Sequence, residues 1–120
     1  MLVERLSKRA LQKIIGGRVK EPATCVVKFY SNRCHYCRDL KDLFEDVAEE
    51  YNEVLFFAFN IKDYPQIQKI MKFNGVPTIS MIKVGTTTPR IRLMKEPEEP
   101  DKKTWYKVND IRQFIEGEQA

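Results

Sequence analysis

Two thiols stand three residues apart, Cys34 and Cys37, in the stretch Ser31-Asn32-Arg33-Cys34-His35-Tyr36-Cys37-Arg38. On one turn of helix, residues at that spacing lie on the same face, so two sulfurs can close a disulfide. Such a bond breaks and re-forms by attack of a thiolate, and the pair reads as a redox dithiol. Before it runs an apolar stretch, Cys25, Val26, Val27, Phe29 and Tyr30. After it, Leu40, Leu43, Phe44, Val47, Ala48 and Tyr51 recur at the three-and-four spacing of one helix face. The elements that hold the thiols are therefore strand, tight connection and helix. Cys34 falls at or near the N-cap, where free backbone N–H groups and the positive helix end favour an anion. A thiolate is such an anion.

The totals bound the rest. A chain of 120 residues is expected to form a single domain over 1–120, with 1–19 an N-terminal helix and turn and 20–120 the core. A hydrophobic share of 42% beside 32% charged residues is that of an ordinary globular protein. The net charge of +4 comes from 21 basic and 17 acidic residues mixed along the chain. Without a clustered basic stripe it reads as solvated surface, and no nucleic-acid partner is expected. No apolar run approaches the ~20 residues of a membrane span. Glu4, Arg5, Lys8, Arg9 and Lys13 interrupt any secretory apolar core. Three cysteines are too few for a disulfide scaffold, which points to a reducing compartment, the cytoplasm. Read as metal ligands, Cys34, His35 and Cys37 have only the remote Cys25 to add, so no metal and no other cofactor is expected.

Along the chain, Leu2, Leu6, Ala10, Leu11, Ile14 and Ile15 share one side of an amphipathic helix over 2–15, ended by Gly16-Gly17. A strand over about 24–30 leads into the Cys34 helix, which runs to about Tyr51. The run Val54-Leu55-Phe56-Phe57-Ala58-Phe59 suits a strand buried on both faces. A short helix follows Asp63-Tyr64-Pro65, with Ile67, Ile70 and Met71 facing in. Pro77 cannot donate to a ladder and so belongs at the start of the strand Thr78–Ile82. Gly85 begins a turn into a hairpin partner, Arg90–Met94. Residues Glu96–Lys103 read as an exposed surface loop, and a last helix begins near Asn109 with Ile111, Phe114 and Ile115 inward. The order α-β-α-β-α-β-β-α predicts a mixed central β-sheet flanked by helices.

These residues carry a family signature. The strand ending Val26-Val27-Lys28-Phe29-Tyr30-Ser31, the Cys34-His35-Tyr36-Cys37 helix start and, some forty residues on, Phe73-Asn74-Gly75-Val76-Pro77-Thr78 resemble the thioredoxin superfamily, its thioredoxin and protein disulfide isomerase-like domains. The likeness covers about residues 20–115. It implies an α/β thioredoxin fold in which the N-terminal helix takes the place of the family's first strand. It also implies a cis peptide bond before Pro77, with Val76 and Pro77 facing the dithiol and offering backbone groups to a substrate strand. Three departures stand out. His35-Tyr36 separates the cysteines, Tyr36 being similar to the Pro-Tyr of glutaredoxins and suited to substrate contact. Arg33 replaces the tryptophan that usually precedes the first cysteine, while the chain's one tryptophan, Trp105, reads as core packing near the final helix. Lys28 stands where the family often keeps a buried acid.

The chemistry implied is disulfide exchange with protein substrates, Cys34 attacking as nucleophile and Cys37 resolving. Arg33 and His35, where cationic, favour the Cys34 thiolate. For a thiol near 8.5, a drop of about two pH units yields about 25-fold more thiolate at pH 7 but loses about eightfold in nucleophilicity. About a threefold rate gain is left. Lys28 either snorkels to water from the strand end or lies buried near Cys37, where a neutral amine could accept a proton. Cys25 reads as a small packed hydrophobe. The partners expected are protein disulfides or dithiols and a reductase or other thiol reductant, with no membrane and a monomeric chain. The alternatives are a glutathione-dependent, glutaredoxin-like reductase and a non-catalytic docking module.

Overall fold

The strand Ala23–Tyr30 organises the sheet, because its side chains are wanted on both faces. The computed structural model describes residues 2–85 and 87–119. Cys25, Val27 and Phe29 pack into one buried cluster, while Val26 packs into the other. The elements in order are β1 (Val3–Arg5), α1 (Lys8–Ile15), β2 (Ala23–Tyr30), α2 (His35–Ala48), β3 (Leu55–Asn60), α3 (Ile67–Met71), β4 (Thr78–Val84), β5 (Arg90–Leu93) and α4 (Val108–Gln119), with one 3₁₀ turn at Ile61–Asp63. The sheet runs β1-β3-β2-β4-β5. β3 pairs in parallel with β1 and β2, whereas β4 runs antiparallel to β2 and β5 antiparallel to β4.

Helices cover both faces. Leu11 and Ile14 of α1 and Ile67 and Met71 of α3 close over Val27, Phe29 and Phe59. Leu40, Phe44 and Val47 of α2 and Ile111 and Ile115 of α4 close over Val26, Phe56, Ile79 and Met81. Period-two alternation along β2 puts Lys28 on the same face as Val26, under α2. Lys28 is only 4% exposed, so it does not snorkel to water.

The N-terminus corrects the expected helix over 2–15. Val3–Arg5 form a strand, β1, in register with Phe56–Ala58, and no helix takes its place. The helix begins only at Lys8, after Ser7, whose Oγ accepts the Ala10 N–H at 3.1 Å. Two forces decide this. The side chain of Ser7 satisfies a first-turn donor and so fixes the helix start. Before it, the Glu45 carboxylate of α2 accepts the N–H groups of Leu2 (2.7 Å) and Val3 (3.0 Å), holding the segment extended at the sheet edge. Leu2 is accordingly 54% exposed instead of facing inward. In α3, Ile67 and Met71 are buried as expected, but Ile70 is 49% exposed, because a helix of five residues turns only one narrow face to the core.

Candidate functional site

Cys34 is the N-cap of α2, with extended backbone (φ −94°, ψ 107°), and its Sγ accepts the backbone N–H of Cys37 at 3.1 Å. A sulfur thus occupies the capping place that an Asp or Ser oxygen usually takes. Cys34 and Cys37 pair as a disulfide, their Cα atoms 5.2 Å apart. Cys37 is buried inside the first turn, while Cys34 is half-buried at its start. The accessible sulfur is the one at the helix end.

The Val76–Pro77 peptide bond is cis. The carbonyl oxygen of Val76 lies 3.7 Å from Cys34 Sγ. Thr78 Oγ1 donates to the Gly75 carbonyl at 2.8 Å, and Gln68 Oε1 accepts the Gly75 N–H at 2.9 Å. Gly75 itself has φ +91°, a conformation that favours glycine. These contacts shape the loop that brings Val76 to the sulfur.

Of the residues singled out in the sequence, Arg33 and His35 have exposed side chains on either side of Cys34. The His35 ring lies against that of Tyr36, centroids 4.0 Å apart, and Tyr36 in turn meets Trp105 at 5.4 Å. Trp105 is half-buried and packs against the α2–α4 core, as the reading of it as core packing expects; its ring also stands beside the dithiol helix and helps line a cleft with Val76 and Pro77. The sequence offered one signal of this, a lone tryptophan four residues after Asp101 in a polar loop.

Lys28 shares a second cavity, of about 390 Å³, with Cys34, Cys37, Tyr30, Lys41 and Glu45. Its ammonium lies 5.2 Å from the centre of the Phe44 ring and 5.9 Å from that of Tyr30. Among the described residues no carboxylate lies within ion-pair reach of it. Burial above all, and next the Lys41 charge, lower its pKa to about 8, against the opposing pull of Glu45 and Asp42. Cys25 is buried on the opposite face of β2, and burial alone pushes its thiol up to about 11. It stays a packed thiol, remote from the pair.

A thioredoxin family profile matches residues 4–115. The chain belongs to the thioredoxin family. Thioredoxin H2-2 of Oryza sativa subsp. japonica is 26% identical over 73 residues, which cover 61% of this chain and 54% of that protein. Thioredoxin H2 of Arabidopsis thaliana is 27% identical over 97 residues, 80% of this chain and 73% of that one. The chain thus spans just over half the length of the rice relative. In structure it is similar to the Trx4 domain of ERdj5, with a TM-score of 0.76 at 16% identity, covering 99% of this chain and 96% of that domain. The last likeness concerns the fold, a mixed five-stranded sheet flanked by helices. Family and paired cysteines together support thiol–disulfide oxidoreductase chemistry.

Proposed function

We propose that this domain exchanges disulfides with protein substrates, with Cys34 as nucleophile and Cys37 as the resolving thiol. One observation carries the reading: the half-buried sulfur caps the helix and faces the Val76 carbonyl, while its partner sits buried one turn on. In the reduced domain the Cys34 thiolate attacks one sulfur of the substrate disulfide. That S–S bond breaks, and the departing substrate thiolate takes a proton from solvent. Cys37 then loses its proton and attacks Cys34 Sγ, releasing the second substrate thiolate. Two electrons pass to the substrate, and the Cys34–Cys37 disulfide is left behind.

Arg33 and His35 tune the Cys34 thiolate from outside, while Lys28 serves Cys37 from inside. With a pKa of about 8, about a tenth of Lys28 is neutral at pH 7 and able to take the Cys37 proton. Tyr36, Val76 and Pro77 contact the substrate, Val76 through its free backbone groups. A separate thiol reductant, protein or small molecule, recycles the disulfide. Three cysteines, of which two form the reactive pair, fit a reducing compartment such as the cytoplasm. The reading is tested by following reduction of a disulfide-bonded protein substrate with dithiothreitol as terminal reductant. Wild type accelerates the reduction, and a Cys34→Ser protein no faster than buffer is the expected control. Equal rates for the two proteins would overturn it.

A further inference from the structure

Trp105 has φ +65°, a left-handed backbone that bulky side chains rarely adopt. The surrounding loop over-determines it. Asp101 and Trp105 exchange backbone hydrogen bonds, both 3.0 Å, and the Asp101 carboxylate accepts the N–H groups of Lys103 (2.8 Å) and Thr104 (3.0 Å). Next in the chain, Tyr106 is buried, and its hydroxyl donates to the Pro77 carbonyl at 3.4 Å. The loop is thus pinned to the same segment that approaches Cys34. Between them lies a cleft of about 440 Å³, lined by Val76, Pro77, Met94, Trp105 and Tyr106.

The occupant follows from what the cleft joins. At one wall Val76 makes no backbone hydrogen bond among the described residues, leaving an N–H and a C=O for an extended chain. That carbonyl is also the group 3.7 Å from Cys34 Sγ, so a chain paired there carries its own cysteine to the reacting sulfur. The Trp105 indole lines the same cleft, its ring 5.4 Å from that of Tyr36. Lys72 and Glu96 are the charged residues of the lining, of opposite sign, so no net charge selects the ligand. What remains to select it is the face of the Trp105 indole, with Pro77 and Met94 also in the lining. With the Val76 backbone holding an extended substrate segment, as the family resemblance implies, we infer that Trp105 selects a bulky apolar side chain beside the substrate cysteine. This rests on the exchange reaction proposed above and adds to it a class of substrate.

The test uses pre-reduced full-length chain and two short peptides, each holding one cysteine as a mixed disulfide with 2-mercaptoethanol. One peptide has leucines flanking the cysteine and the other glycines. Each turnover releases the peptide thiol and 2-mercaptoethanol and leaves the Cys34–Cys37 disulfide. The leucine probe should react about tenfold faster than the glycine probe, the scale on which apolar pockets discriminate. Trp105→Ala should bring that ratio below about twofold, with Trp105→Phe between. Independently of any variant at that position, the chain's single tryptophan reports the cleft directly. Cys37→Ser protein is loaded with each peptide in disulfide linkage on Cys34, from the peptide's thionitrobenzoate disulfide, so that thionitrobenzoate is the leaving group. The leucine-peptide adduct should show blue-shifted emission, and the glycine-peptide adduct prepared in the same way should not. A ratio near one in wild type, a ratio that survives Trp105→Ala, or identical emission from the two adducts would overturn the inference. Failure of both probes to react would instead sink the exchange reading on which it rests.

Discussion

The N–H of Cys37 points at the Sγ of Cys34, 3.1 Å away. The residue that closes the disulfide therefore also supplies a hydrogen-bond donor to the sulfur proposed to carry the thiolate. A charge-assisted bond of this kind is stronger than its neutral counterpart, and the donor is one of those a helix start leaves free. The two cysteines consequently have unequal fates on substitution.

Cys34→Ser should lower turnover of a protein disulfide to the uncatalysed level, whereas Cys37→Ser should still attack once. The second variant should accumulate a mixed disulfide, seen by mass spectrometry as the added mass of one substrate thiol. Accumulation on Cys34→Ser instead would reverse the assigned roles.

Lys28 predicts a pH dependence of stability with a definite sign. Its pKa is near 8 in the folded chain, against 10.5 for a solvated lysine, because burial penalises the charge. Between those two values the unfolded chain binds more protons than the folded one, so stability rises with pH across about 8 to 10.5. Below about 8 the whole penalty, about 3 kcal/mol, is in force. Lys28→Met should thus be the more stable protein at pH 7 by up to about 3 kcal/mol, the gap closing toward pH 10.5. Urea unfolding of both proteins at pH 7 and pH 10 measures it, and a gap independent of pH would refute the buried charge.

The same residue has a kinetic signature. If neutral Lys28 takes the Cys37 proton, resolution of a preformed mixed disulfide should quicken as pH rises through about 8. That rise should be flattened in Lys28→Met, while attack by Cys34 is slowed less. Lys41, Glu45 and Asp42 of α2 act on this ammonium, and Arg5 of β1 shares its cavity. Single-turnover kinetics over pH 6–9 separate the two steps.

His35 lies exposed beside the N-cap sulfur, its ring on Tyr36. Replacing it with glycine removes any cationic support for the reduced thiolate, so the dithiol should become more reducing. The change should be modest, about 20 mV, measured by equilibration against a glutathione buffer. An unchanged potential would leave the imidazole a spacer.

Ser7 marks the border between β1 and α1. Ser7→Ala removes the acceptor for the Ala10 N–H and should cost about 1 kcal/mol in chemical denaturation. No loss would mean that the sheet edge, not the cap, sets where the helix begins.

The thiol pair and the element order around it were legible in the chain because their signals are local. Cys-x-x-Cys at the junction of an apolar run and a helical repeat needs no knowledge of distant residues, and neither do Pro77 at a strand start or the helix face from Leu40 to Tyr51. What tertiary structure decided were the places where local preference is indifferent. Residues 2–5 fit a helical stripe as well as a strand, and the choice fell to pairing with Phe56–Ala58 and to two N–H groups held by Glu45. Lys28 could have reached water from a strand end. Only the helix laid across its face of β2 buries it, leaving its pKa near 8. Trp105 carries only a faint local mark of a site, a lone tryptophan beside a polar loop. It comes to the dithiol because the loop before α4 folds back on Asp101 and anchors through Tyr106 to Pro77, contacts that span 29 residues in the latter case. Periodicity and motif fix what is written within a few turns of chain, whereas burial, charge cost and the walls of a cleft depend on which distant segments share a space.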